Sequence, residues 1–242
     1  NLNISGSVNL ELNGAVKARK FQLSDEARGY TSTYTTELTG SGSLAAEEIV
    51  LTKCSSLSDA SNSACLVLNA DLTSNKKIKT ENGVSIEIKS GKTLKAASLL
   101  HETSQSTPFS EIRVYGTLDV TDAASAGDGT IQLSEKSGGS GGIKLSVFSG
   151  GSVKSKKITV QGNFSNGSDS AVISNAGTIE VSDEISIKSD GSGSENVLEL
   201  LDGFQLSGSG TLKIDSSILK YSGTSAASSD FSVELLGNTG RP

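Results

Sequence analysis

Few residues in this chain can do chemistry. Its 242 residues include one His and two Cys, with no Met and no Trp. A single imidazole leaves little material for a His-based metal site or general-base catalysis. His101, followed by Glu102 and a Ser/Thr-rich stretch, reads as an exposed loop histidine. Gly138-Gly139-Ser140-Gly141-Gly142 matches Gly-x-Ser-x-Gly literally, but that motif presents its serine on a strand-to-helix turn. Here a Gly/Ser run comes before it and the alternating Ile143-Lys144-Leu145 after it. It reads as a chance match.

Sugar-cleaving enzymes need paired carboxylates. Asp119, Glu180 and Lys213 take the same position of a repeated phrase, with Gln132 in a fourth copy. Mixed signs there indicate a solvated face. Asp122 to Asp128 and Asp190 to Glu195 hold acids among small residues, but neither follows a known calcium-loop spacing. No catalytic residue, metal or cofactor is expected, and the chain does not read as an enzyme.

Cys54 and Cys65 flank the polar stretch Ser55 to Ala64. They read as a disulfide closing one loop, which implies an oxidising, exported location. The alternative is two separate buried thiols.

Composition narrows the class further. Net charge is −6, which argues against a nucleic-acid binder that tracks phosphates. No apolar run approaches the length of a membrane-spanning helix. Hydrophobic residues make up 34% and aromatics 4%, too few for a thick globular core. The segment Asn1 to Ser7 has neither the basic start nor the apolar centre of a signal peptide, so an exported chain would have had its signal removed.

The elements that must hold these residues show a two-residue period. Val8 to Leu12, Ile86-Glu87-Ile88, Ile112-Arg113-Val114 and Ile185-Ser186-Ile187 alternate apolar with polar, as half-buried strands do. Leu44 to Leu51 and Leu94 to His101 tolerate a helical reading as well as strand-turn-strand. A phrase of Gly, Thr or Ser, aliphatic, any residue, aliphatic recurs at 116–120, 129–133, 177–181 and 210–214. Gly91, Gly116, Gly151, Gly177 and Gly203 mark rung corners, spaced by 25, 35, 26 and 26 residues. Such a period with short strands indicates a solenoid. The expectation is an all-β fold, a single-stranded parallel β-helix of about 25 residues per rung and roughly nine or ten rungs. A β-sandwich is the alternative.

The chain reads as one domain over 1–242, with regular rungs over 44–236 and a tail over 237–242. Residues 1–43 look less regular. There the Thr/Tyr-rich run Tyr30, Thr31, Ser32, Thr33, Tyr34, Thr35 and Thr36 has high strand propensity. It reads as an edge strand, a cap, or a strand offered to a neighbouring subunit.

The Gly-Thr-aliphatic phrases and Ser/Gly/Asn-rich loops, over about residues 45 to 236, resemble the passenger region of bacterial autotransporter adhesins and related β-helical surface proteins. The resemblance implies a right-handed β-helix, displayed outside the cell, with roles in adhesion, self-association or matrix building. It brings no catalytic residues. The function expected is that of an exported structural or adhesive protein acting through self-association, with a filament subunit as a close variant, or through multivalent contacts with host or matrix glycans. The competing expectation is a polysaccharide-active enzyme or carbohydrate-binding module on the same fold.

Overall fold

The computed structural model describes residues 1–24, 35–52, 65–81, 84–103, 110–121, 128–135, 142–162, 171–189, 196–224 and 231–236. Among them every element is a strand, and every strand pairing is parallel. The strands form one 14-stranded and one 9-stranded sheet. This all-β, all-parallel architecture is consistent with a β-solenoid.

One turn of the chain runs through Ile86–Ile88, Thr93–Lys95 and Ser98–Thr103. The first strand lies in the smaller sheet and the other two in the larger one. The next turn repeats the order with Ser110–Val114, Thr117–Val120 and Thr130–Glu135. The larger sheet therefore holds two ladders side by side. The first contains Thr93–Lys95 and Thr117–Val120, the second Ser98–Thr103 and Thr130–Glu135. Ser43–Thr52, Ser152–Gly162 and Thr178–Ser189 are long strands that cross the bend and serve both ladders.

Alternation produces the core. Inward positions stack in register: Leu44, Leu72, Leu94, Leu118, Val153, Ile179 and Leu206 in the first ladder, and Ile49, Ile78, Leu99, Ile131, Ile158, Ile185 and Leu212 in the second. The smaller sheet adds Leu66, Ile86, Ile112, Leu145, Ile173 and Leu198. All are buried. Each fully buried aliphatic side chain contributes on the order of 1.5–3 kcal/mol, so a thin core of stacked Leu, Ile and Val suffices without Trp.

Three sequence expectations change. Within residues 1–43, which look less regular in sequence, the described strands join the same ladders as the rest. Ala15–Ser24 pairs with Ser43–Thr52, and Thr36–Thr39 pairs with Val8–Glu11 and Leu66–Leu68, with Phe21, Leu23 and Leu38 fully buried. The helical alternative fails at both places: Ser43–Thr52 is one strand, and Leu94 to His101 spans two.

The Gly-Thr phrases are also not equivalent. Thr117 and Thr178 enter the first ladder, whereas Thr130 and Thr211 enter the second. One phrase thus serves two different corners. Register-matched residues lie 20 positions apart at Leu66 and Ile86 and 35 apart at Thr117 and Ser152.

Candidate functional site

The outward positions carry the polar chemistry, and parallel pairing sorts it into columns. On the first ladder Thr93, Thr117, Ser152 and Thr178 stand in register. Two residues further along each strand, Lys95, Asp119, Lys154 and Glu180 alternate in sign. Lys154 Nζ lies 3.3 Å from Glu180 Oε2. Columns of this kind repeat at the strand spacing of about 4.8 Å. Asp119 and Glu180 therefore share a column, as expected, whereas Gln132 and Lys213 belong to the second ladder.

On the second ladder Glu184 sits between two lysines, 2.7 Å from Lys213 Nζ and 2.9 Å from Lys157 Nζ. Hydrogen bonds from Lys213 and then Lys157 hold its carboxyl below the usual carboxylate range. Lys79 is hydrogen-bonded to Glu81, and this raises its ammonium pKa, with Glu102 Oε2 3.6 Å away.

The outer face of the smaller sheet carries a denser cluster. Arg113 donates from Nε to Glu111 at 2.8 Å and lies 3.7 Å from Glu87. Ser146 donates to the other oxygen of Glu111 at 2.6 Å. Both carboxylates are thus tied to an arginine, which suits an ion-pair network better than an acid–base pair. Further along, Lys220 Nζ and Ser222 Oγ each donate to Glu199 at 2.9 Å and lower its pKa, the lysine contributing most. At the corner beside this sheet, Tyr115 and Phe148 stack with ring centroids 4.1 Å apart.

His101 is not an exposed loop residue. It lies in Ser98–Thr103, fully buried, and its Nδ1 is hydrogen-bonded to Thr80 Oγ1. The sequence signal was present but weak: His101 follows Leu99 by two residues and so shares its inward phase.

The glycines divide by role. Gly91 and Gly203 hold positive φ in turns, at 72° and 81°. Gly116, Gly151 and Gly177 instead sit where neighbouring backbone comes too close for a side chain; a Cβ on Gly177 would lie 2.4 Å from the Gly151 carbonyl oxygen. Cys65 is buried, and its Sγ accepts the Ser85 amide at 3.3 Å. Cys54 lies outside the described residues, as do Tyr30, Thr31, Thr33, Tyr34, residues 138–141 and residues 190–195. Thr35 is described; its amide donates to Ser7 Oγ, and its carbonyl accepts the Val8 amide.

Exposed large hydrophobic side chains have a definite location. Among the described residues they are Val8, Val16, Ile218, Leu219, Tyr221 and Val233. Val8 and Val16 lie on the first strands of their ladders, and the other four on the last strands. No group of three metal-ligating side chains occurs among the described residues, nor a helix long and apolar enough to cross a membrane. No family model, curated protein or solved structure matches the chain.

Proposed function

We propose that this chain is an exported, surface-displayed structural or adhesive protein, built as a right-handed β-helix of about 25 residues per rung and working by self-association and multivalent polar contact. The resemblance to autotransporter passengers belongs to the same reading, as does a disulfide between Cys54 and Cys65.

The observation that carries it is the placement of the exposed hydrophobic side chains at the two ends of the stack. An end strand presents unpaired N–H and C=O groups, which template pairing with another chain. All strands in a sheet run the same way, so whereas head-to-head contact would need an edge to pair antiparallel with its own copy, head-to-tail contact between copies continues the parallel pairing of the stack. Such heterologous contacts grow into filaments when they do not close. The protruding edges are Leu2–Ile4 at one end and Ser232–Leu236 at the other, both in the larger sheet.

The lateral faces support the multivalent part. A hydroxyl column and a column of alternating charge offer many weak contacts in a fixed row. Linked weak contacts gain avidity through effective concentration, and glycans or a second copy of the chain offer the matching hydroxyl and charged groups.

The test replaces Val233 with Lys, and separately Thr117 and Thr178 with Ala. Loss of end-to-end association in the first variant, and of surface or glycan retention in the second, is the expected outcome. Wild-type assembly and retention in both variants would remove the reading.

A further inference from the structure

The second ladder contains one break in its inward chemistry. Leu23, Leu51, Thr80, His101, Leu133, Val160, Ile187 and Ile214 stack in register. Six of the eight are aliphatic, and the polar pair sits in the middle of the stack. Both polar residues are fully buried. His101 Nδ1 is satisfied by the Thr80 hydroxyl, while Nε2 is buried without a hydrogen bond of ordinary geometry.

Charging the ring changes the demands on this site. Both nitrogens then become donors. Thr80 Oγ1 can accept one hydrogen bond, the second donor has only the Ser110 backbone nearby, and the charge lies between Thr80 and Leu133 in an otherwise aliphatic column. Among the side chains the structure describes, no charged one faces the ring from the strands packed against it. Lys77, Lys79 and Glu81 on Lys77–Glu81, Glu102 on the histidine's own strand, Glu111 and Arg113 on Ser110–Val114, and Lys144 on Ile143–Val147 all occupy outward positions, set off by one from their inward neighbours. On Thr130–Glu135, Leu133 stands opposite the ring. A buried charge with no partner is strongly unfavourable.

We propose that the Thr80–His101 pair is an acid-sensitive latch, at which the stack opens between Lys77–Glu81 and Ser98–Thr103 when the imidazole is protonated, while rungs nearer the ends stay paired. In a solenoid each rung contacts only its neighbours, so stability is a sum of local interfaces and one of them can fail first. Burial lowers the ring's pKa from 6.5 to about 4, outweighing a contact with the Ser110 backbone that favours the charged form. The direction follows from linkage. The unfolded ring binds its proton more readily than the folded one, so the contribution is complete above the unfolded value and is lost as pH falls toward the folded value.

With one His in the chain, one imidazole resonance reports the site directly. That resonance should titrate near 4 rather than 6.5. Amide protection, corrected for the intrinsic pH dependence of exchange, should fall at 77–81, 98–103 and 130–135 over the same range. His101→Gln keeps a partner for Thr80 but cannot charge, and His101→Leu matches the column; each should remove this acid step. Titration near 6.5 without opening, opening that begins at the end strands, or an unchanged acid step in a folded variant would overturn the proposal. If both variants fail to fold, the wild-type titration and exchange pattern still decide.

Discussion

Asn175 Oδ1 accepts the amide of Gly177 at 3.0 Å, and Asn175 Nδ2 donates to the Gln205 carbonyl at 3.3 Å. The residue stands fully buried in a column whose register neighbours are Val147 and Leu200. A polar side chain there is accepted because it satisfies the backbone of a tight corner and bridges to the next rung.

That corner gives the first prediction. Gly177→Ala places a Cβ against the Gly151 and Phe148 carbonyl oxygens, 2.4 and 2.5 Å away, and backbone cannot yield as a side chain can. Urea denaturation should show a loss of about 2–4 kcal/mol. Asn175→Leu should cost about 1–3 kcal/mol, the penalty for leaving a buried donor unsatisfied. A neutral result for Gly177→Ala would mean that the corner is not packed as described.

Position along the stack should decide the cost of losing an aliphatic side chain. Ile131 is fully buried in the middle of its column, while Leu219 is 40% exposed on an end strand. Ile131→Ala should destabilise by about 2–5 kcal/mol through the cavity it leaves. Leu219→Ala should leave the thermal midpoint of the monomer nearly unchanged. Equal losses in the two variants would argue against a stack with a continuous interior.

Glu184 should show how little a partly exposed ion pair contributes. Its two lysines lower its pKa, so its stabilisation is complete above the unfolded carboxyl value and fades as pH falls through the lower folded value. Glu184→Gln should cost little at neutral pH, and that cost should vanish at high salt. A large, salt-independent loss would mean that the carboxylate does something other than pair.

If Cys54 and Cys65 are joined, reduction should lower stability by on the order of 2–3 kcal/mol, from reopening one short loop. Peptide mapping without reductant should recover the two cysteines in one cross-linked fragment. Two separately alkylated cysteines from unreduced protein would remove the bond and, with it, the support it gives to an exported location.

Much of the fold was legible because its core obeys one rule, alternation. Ile86 and Ile88, Ile112 and Val114, and Ile185 and Ile187 all point inward as the sequence pattern requires. The rule breaks at the bend between the two ladders. There the long strands place two or three outward residues in succession, Glu47-Glu48 in one and Ser182-Asp183-Glu184 in another. This slip spaces Ala46 and Ile49 by three, which imitates a helix. It also hid Ala15–Ser24, where Arg19 and Lys20 interrupt the pattern ahead of buried Phe21 and Leu23. The two classes of Gly-Thr corner were indistinguishable for a similar reason, since both present an outward Thr and an inward aliphatic. The columns were less legible than the strands. Nothing in the phrase around Lys95 shows that Asp119 will stand beside it, because register depends on the lengths of the intervening loops. His101 was misplaced because a lone polar residue in an apolar phase reads most simply as the end of a strand.

Self-association through the strand ends is most directly tested by the length distribution of the purified protein against its concentration, followed by sedimentation velocity with negative-stain microscopy. Head-to-tail pairing predicts rods that lengthen in whole multiples of one unit as concentration rises, and that revert to single units when Val233 is replaced by Lys. Single short rods at every concentration, or aggregates that form side by side and ignore that substitution, would contradict it.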